Sequence, residues 1–490
     1  MNICTERDNI MSKEFYSENY RPQYHVTPKE GWLNDPNGMV YYEGEYHLFY
    51  QFFPDSKFPA DIKYWAHAVS TDLANWKDCP VAIAPDENGS IWSGSAVVDF
   101  NNSSGFFDDV PGKTGLVAFY TATTNGCMCQ QQALAYSKDK GITWIKYNEG
   151  LPIITMADDP LQNHDFRDPK VFWHDESGKW MMIAAGGPVR FFSSDDLKNW
   201  TPEAMQNEIH TECPDFFKLP VDGKEGFEKW VLSCCGVNYM IGDFKKIDGL
   251  WRFVPDSDER IPFNFGPDVY AAQTFSDVPG RRIKVDWMTN INYPFENGHI
   301  TDPWNGALTL PYEMQLKTVD GKIILVQFPV KELDLLHGKE YSFVNIEVDE
   351  NTENPLENLS LEKYEIKAVI DMGTAKEAGF KLRTGKDQFT VVKLDAVSNK
   401  IIIDRAKSGK LSKPDFDTAF SVDMNVIDGK VSLQMFVDWS SLEVFAQEGI
   451  YPFTVLIYPD SDSTGLGVYA EGGKATFEEL KIFEMNSMYK

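Results

Sequence analysis

Three acidic residues each stand one or two positions from a proline: Asp35 in Asn34-Asp35-Pro36, Asp168 in Arg167-Asp168-Pro169, and Glu212 in Glu212-Cys213-Pro214-Asp215. Proline fixes its own φ and restricts the residue before it, so the sequence puts each carboxyl group in a tight turn that aims it in a set direction. Carboxyl groups held in this way suit cleavage of a glycosidic bond. One protonates the departing oxygen, while another attacks the anomeric carbon or activates a water. An aspartate beside proline more often serves as a turn or cap residue, so no one of the three identifies the chemistry by itself.

Their spacing says more. Polar clusters at Asn34-Asp35, Trp92-Ser93, Arg167-Asp168, Glu212-Cys213 and Asp268-Val269-Tyr270 recur at intervals of 58, 75, 44 and 58 residues, measured from Asp35 through Ser93, Asp168 and Glu212 to Tyr270. A second series runs in step: Ser70-x-Asp72 before Trp76, Ser137-x-Asp139 before Trp144, and Ser194-x-Asp196 before Trp200. Short strand-forming runs lie between them, at 46–53, 115–121, 171–173, 180–184 and 282–287. Repetition on this scale implies blade-like units. The spacing predicts an all-β chain, with a five-bladed β-propeller over residues 20–330 whose innermost strands bring the clusters to one funnel. A helix-like stretch at 329–336 interrupts the pattern. Strand-forming segments at 364–370, 389–394, 400–404, 442–446 and 453–458 then predict a β-sandwich over residues 340–490 in a supporting role.

Bulk properties exclude several classes of function. The 490 residues carry a net charge of −28, which repels phosphate backbones and anionic headgroups, so neither nucleic acid nor membrane is expected as a partner. Aromatic residues make up 14% of the chain and supply flat faces on which sugar rings pack. The seven cysteines lack zinc-like paired spacing, and the chain has no His-Glu-x-x-His pair, phosphate-binding glycine loop or calcium loop. No metal or cofactor is therefore expected. The first 25 residues carry charges throughout and no apolar core segment, which together with the odd cysteine count predicts a cytoplasmic location. The pattern leaves the oligomeric state open.

Gly31-Trp32-Leu33-Asn34-Asp35-Pro36-Asn37-Gly38 resembles the signature that opens the catalytic domain of glycoside hydrolase family 32, the family of invertases, levanases and inulinases. The rest of that pattern follows in order: Tyr50-Gln51, Trp92-Ser93-Gly94-Ser95, Phe166-Arg167-Asp168-Pro169 and Glu212-Cys213-Pro214-Asp215. Tyr270-Ala271-Ala272-Gln273-Thr274-Phe275, Gly280-Arg281-Arg282, Trp287-Met288 and Leu310-Pro311 complete it. The likeness runs over essentially residues 21–490. It implies a five-bladed propeller followed by a β-sandwich, and a retaining β-fructosidase that works by double displacement; a funnel closed at its narrow end then predicts exo release of terminal fructose, and the cytoplasmic location predicts sucrose and short fructo-oligosaccharides as substrates. It also implies that Asp35 is the nucleophile, Glu212 the acid/base, and Asp168 the carboxylate that grips fructose hydroxyls and stabilises the transition state. Asn34, Gln51, Trp92, Ser93, Arg167, Tyr270 and Trp287 then belong to the sugar site.

With those roles, Asp35 has to be ionised to attack, while Glu212 has to hold its proton near neutrality, above a reference pKa of about 4.3. Neighbouring carboxylates are expected to raise Glu212, and Arg167 to keep Asp168 ionised. Cys213 reads as a buried thiol. Two stretches depart from the family pattern. Many members carry a tryptophan between Gln51 and Trp65, where residues 52–64 read FFPDSKFPADIKY and offer only Phe53, Phe58 or Tyr64 as a wall. The common Asp-x-Gly-Lys-Asp becomes Asn264-Phe265-Gly266-Pro267-Asp268. Both stretches are expected near the leaving group. The other readings are a fructosyltransferase, in which a sugar replaces water at the second step, and a non-catalytic fructan-binding protein, against which the three retained carboxylates argue.

Overall fold

The computed structural model describes residues 15–410, 418–424 and 429–489. The charged N-terminal stretch considered above lies outside these as far as residue 14. The chain is almost wholly β, and strands among the described residues form seven sheets.

Five sheets follow one another along the chain. They begin with the strands Gly31–Tyr42, Ser90–Val98, Arg167–His174, Asp215–Pro220 and Tyr270–Thr274. Each runs on through three antiparallel neighbours. Many strands are buried on both faces, as in Leu116–Thr124, whose nine residues are all buried but the last. Alternating side chains therefore have to meet apolar partners on either side of the sheet.

They do so in sequence. Trp65 and Phe49 of the first sheet pack with Ile91 and Leu116 of the second, and Phe119 and Leu134 of the second with Trp180 and Met182 of the third. Met181 and Phe191 meet Phe216 and Leu232 of the fourth sheet, and Phe217 and Tyr239 meet Met314 and Leu316 of the fifth. Val285 and Trp287 of the fifth sheet pack with Leu48 and Trp32 of the first, so the packing returns to its start. The short strand Trp304–Asn305 also pairs in parallel with Gly31 and Trp32.

The recurring Ser-x-Asp…Trp pattern is one turn built three times. In each copy the serine ends the third strand of its sheet and donates its hydroxyl to the aspartate, at 3.1, 2.9 and 3.3 Å. The tryptophan indole N–H then bonds a backbone carbonyl three residues earlier, at 3.0, 3.1 and 3.0 Å. An Asx-type turn needs such a side-chain acceptor, and the indole closes it from the other side.

The stretch predicted as helix-like is a 3₁₀ helix at Lys331–Leu336. Beyond it a six-stranded and a five-stranded sheet share one core, with Ile366 and Leu433 on one side and Phe380 and Leu382 on the other. The 264–268 stretch, expected near the leaving group, docks against this second pair of sheets. Asn264 Nδ2 donates to Thr454 Oγ1 (3.1 Å), Phe265 N to Pro452 O (2.8 Å), and the buried Asp268 pairs with Arg405 and accepts from Leu456 N (2.7 Å). Gly266 lies so close to Thr454 that a Cβ would stand 2.2 Å from its carbonyl oxygen.

The N-terminal segment is clamped at the same junction. His25 lies between Asp438 Oδ2 at 2.8 Å and Glu443 Oε1 at 2.6 Å, with all three side chains buried. Burial by itself disfavours the imidazolium, but the hydrogen bonds to Asp438 and Glu443 outweigh it and raise the His25 pKa from 6.5 to about 9. The folded value exceeds the unfolded one, so this stabilisation is complete below about pH 6.5 and lost as the pH rises through about 9. Urea unfolding of the wild type should lose up to about 3 kcal/mol across that window beyond any loss shown by His25→Gln. Equal losses in the two proteins would remove His25 as the cause.

Candidate active site

Asp35 and Asp168 do not stand in turns, as their prolines suggested, but in the first strands of the first and third sheets; Glu212 alone occupies a bend, just before Asp215–Pro220. Strand geometry accommodates both prolines. The pairing of Gly31–Tyr42 slips between Leu33 and Pro36, a bulge that turns Asn34 and Asp35 out of the regular ladder. Arg167–His174 is an edge strand, where the missing N–H of Pro169 forfeits no ladder bond.

Asp35 is held on both oxygens. Asn34 Nδ2 donates to Oδ1 (3.0 Å) and Ser93 Oγ to Oδ2 (2.6 Å). Gln51 joins these two: its Oε1 accepts from Asn34 Nδ2 (2.9 Å) and its Nε2 donates to Ser93 Oγ. Trp32 Nε1 fixes Asn34 from behind by donating to Oδ1 (2.9 Å). Residues from two sheets thereby aim one carboxylate.

Asp168 has φ +60° and Cys213 φ +38°. In these left-handed conformations the Cys213 N–H reaches Asp168 Oδ2 at 2.8 Å, while the Cys213 thiol lies 3.5 Å from Asp35 Oδ2. Thr121 Oγ1 accepts the Asp168 N–H at 2.9 Å. Arg167 spreads its guanidinium over the site, donating to Asp165 Oδ1 (2.8 Å) and Glu212 Oε1 (3.1 Å), with Nε 3.7 Å from Asp168 Oδ2. Tyr270 OH donates to Glu212 Oε2 (3.3 Å). The Glu212 side chain is 47% exposed and that of Asp168 only 6%, so the site is open at one carboxyl and closed at the other.

Arg167 was expected to keep Asp168 ionised. Burial instead dominates: it raises the Asp168 pKa to about 6, against the opposing pull of Arg167 and the Cys213 N–H. Beneath the carboxylates, the buried Lys170 Nζ contacts Asp215 Oδ1 (3.1 Å) and Thr274 O (2.8 Å), and Gln273 Nε2 donates to Pro214 O (3.2 Å). The first strands of the third, fourth and fifth sheets are thus tied together directly below Glu212 and Asp168.

The structure brings Asn34, Ser93, Arg167 and Tyr270 to the carboxylates, as the spacing of their clusters predicts, and with them Gln51, which the family resemblance implied. Trp92 is half-buried beside Ser93, its indole N–H bonded to Asp61 O (3.2 Å). Trp287 lies on the second strand of the fifth sheet, 5% exposed, and packs edge-on to Trp32 at 5.6 Å; it backs the site rather than touching a carboxylate. Thr121 and the backbone N–H of Cys213 escaped sequence reasoning. Thr121 carried no local signal, and Cys213 was read for its thiol. Lys63, in the aberrant 52–64 stretch, also lies near Asp35 and was not anticipated. Asp334, His337 and Glu365 bring donor atoms within 4.8 Å of one another in the second pair of sheets, but Lys367 Nζ already sits 3.2 and 3.3 Å from the two carboxylates.

Residues 25–329 match the model for the glycosyl hydrolases family 32 N-terminal domain, and residues 332–484 that for the glycosyl hydrolases family 32 C-terminal region. The chain belongs to glycosyl hydrolase family 32. It is 42% identical to a levanase of Bacillus subtilis (strain 168) over 97% of its own length and 72% of the relative's. It is 40% identical to a fructan beta-fructosidase of Streptococcus mutans over 99% of its length, but spans only 35% of that protein. The crystal structure of the exo-inulinase from Aspergillus awamori superposes with a TM-score of 0.87 at 31% identity, covering 97% of this chain and 100% of the other.

Two outcomes test this family 32 site. Ser93→Ala removes the shortest of the Asp35 hydrogen bonds and should lower kcat/KM roughly 10- to 100-fold, since bonds to charged groups contribute about 1.5–3 kcal/mol, without changing the unfolding midpoint appreciably. The acid limb of the kcat/KM profile should fall near pH 6, where Asp168 takes up its proton; a limb at about pH 4 would assign it to another group.

Proposed function

We propose that this family 32 hydrolase is a retaining exo-β-fructosidase that releases terminal fructose from sucrose and short fructo-oligosaccharides. One observation carries this reading: carboxyl groups from the first sheet, the third sheet and the bend that leads into the fourth share the Cys213 and Arg167 contacts at one place. The relatives' names support the substrate class, since a levanase, a fructan beta-fructosidase and an exo-inulinase all resemble the chain.

In this reading Asp35, oriented by Asn34 and Ser93, attacks the anomeric carbon of the fructosyl unit. Glu212, on the open side, protonates the departing oxygen and afterwards deprotonates the water that releases fructose. Asp168, gripped by the Cys213 N–H, accepts hydrogen bonds from ring hydroxyls. Double displacement through a covalent fructosyl ester follows, with net retention. The five consecutive sheets are the blades of a five-bladed β-propeller over residues 20–330. Their first strands line its funnel, and the later pair of sheets forms a β-sandwich over residues 340–490. Supporting this are the return of apolar packing from the fifth sheet to the first and the turn repeated in three sheets. A funnel closed at its narrow end admits a chain terminus, hence exo cleavage.

The roles separate on an activated fructoside with a good leaving group. Glu212→Gln should still release a first equivalent of leaving group, because departure then needs no acid, whereas Asp35→Asn should show no burst. Identical behaviour of the two variants would overturn the assignment. On inulin, free fructose should precede any shorter oligosaccharide. Early difructose would sink exo action, and a polymer favoured over sucrose tenfold or more, about 1.4 kcal/mol in transition-state binding, would rule out a short-chain preference.

A further inference from the structure

Lys63 has no part in the reading above, yet its main chain is anchored on the site's border. Its backbone N–H donates to Ser90 Oγ (2.7 Å), and its carbonyl accepts from Ile91 N (3.0 Å), joining the 52–64 stretch to the first strand of the second sheet. The side chain is almost wholly buried, with the residue 7% exposed. Its ammonium lies 5.6 Å from the centre of the Trp32 ring, the same ring whose N–H fixes Asn34 beside Asp35. No hydrogen bond or ion pair joins Nζ to any described residue, and Nζ is not among the polar atoms sealed away from open space. An ammonium carries three donors, and burying it with none of them answered is strongly unfavourable. Something outside the protein's own side chains has to accept those bonds.

We propose that Lys63 is a sugar-binding residue whose ammonium donates to a hydroxyl oxygen of the fructosyl unit held at Asp35. The inference rests on the fructosidase reading for the identity of its ligand. A phosphate or carboxylate substituent is the alternative acceptor, and the charges argue against it. Asp35, Asp61, Asp168 and Glu212 outnumber Lys63 and Arg167 here, so an added anion would be repelled. A neutral hydroxyl answers the donors without that cost. The groups facing the ammonium are Asp35 on the first sheet, Asp61 on its own loop and Cys127 between two strands of the second sheet. Burial lowers the Lys63 pKa to about 8, against the opposing effect of Asp35 and Asp61, so the donors are complete at neutral pH and lost above it.

The test compares wild type, Lys63→Met and Lys63→Gln on sucrose and on a panel of sucroses lacking one fructosyl hydroxyl each, with fructose affinity measured by NMR titration across pH 6–10. Both variants should raise KM and lower kcat/KM on sucrose about 10- to 100-fold, the range set by a charge-assisted hydrogen bond. On one deoxy substrate, wild type and variants should differ by less than twofold, because the bond is already absent. Above pH 7, where Asp168 is ionised throughout, fructose affinity of the wild type should weaken through pH 8, while that of the variants stays flat. Equal losses on every deoxy substrate, or unchanged fructose affinity, would overturn the proposal and leave Lys63 a packing residue. If Lys63→Met does not fold, Lys63→Gln carries the same comparison. If the wild type binds fructose but cleaves no fructoside, the fructosidase reading fails and the titration alone decides the role of Lys63.

Discussion

Carboxylates carried by separate sheets repel one another, and every other feature of the site follows from holding Asp35, Asp168 and Glu212 together despite that repulsion. The Cys213 backbone does most of the holding. Its N–H satisfies Asp168 and its thiol lies on Asp35, and it reaches both only because Asp168 and Cys213 adopt positive φ. Such conformations are unfavourable for residues with a Cβ, so the surrounding sheets have to impose them.

What imposes them is a buried frame beneath the site. Lys170, Asp215 and the Gln273–Thr274 backbone and side chains join three first strands through charge-assisted bonds in a dry interior. Pairs of this kind add little net stability, because desolvation offsets the Coulomb attraction, but breaking one leaves an unanswered charge. They therefore specify position. Stability comes instead from the apolar layers between consecutive sheets, whose aromatic residues bury large areas.

The second pair of sheets bears on this arrangement from outside. His25 lies between Asp438 and Glu443, and Asp268 pairs with Arg405. These contacts hold the segment entering the first strand and the segment entering the fifth, two of the strands that carry site residues. A region without catalytic carboxylates thus contributes to the site by fixing how the chain enters it.

The sequence by itself determined the class of the molecule, its strand pattern, the repeated Ser-x-Asp…Trp turn and the family motifs that contain the three carboxylates, because these depend on local spacing and on residue chemistry. The recurrence of clusters about once per sheet also made their convergence legible, since successive first strands are equivalent positions in a repeated unit. Tertiary structure decided the rest. Whether a proline marks a turn or a bulge depends on the neighbouring strand, and Asp35-Pro36 became a bulge because its partner strand slips in register there. Whether Arg167 or burial governs Asp168 depends on how completely the sheets exclude water. The 264–268 stretch gives no sign of an interface in one dimension and folds as one, because its partners Thr454 and Arg405 lie more than 130 residues away in sequence. Lys63 shows the same limit: a lysine in a polar loop looks solvated until the fold buries it against Trp32.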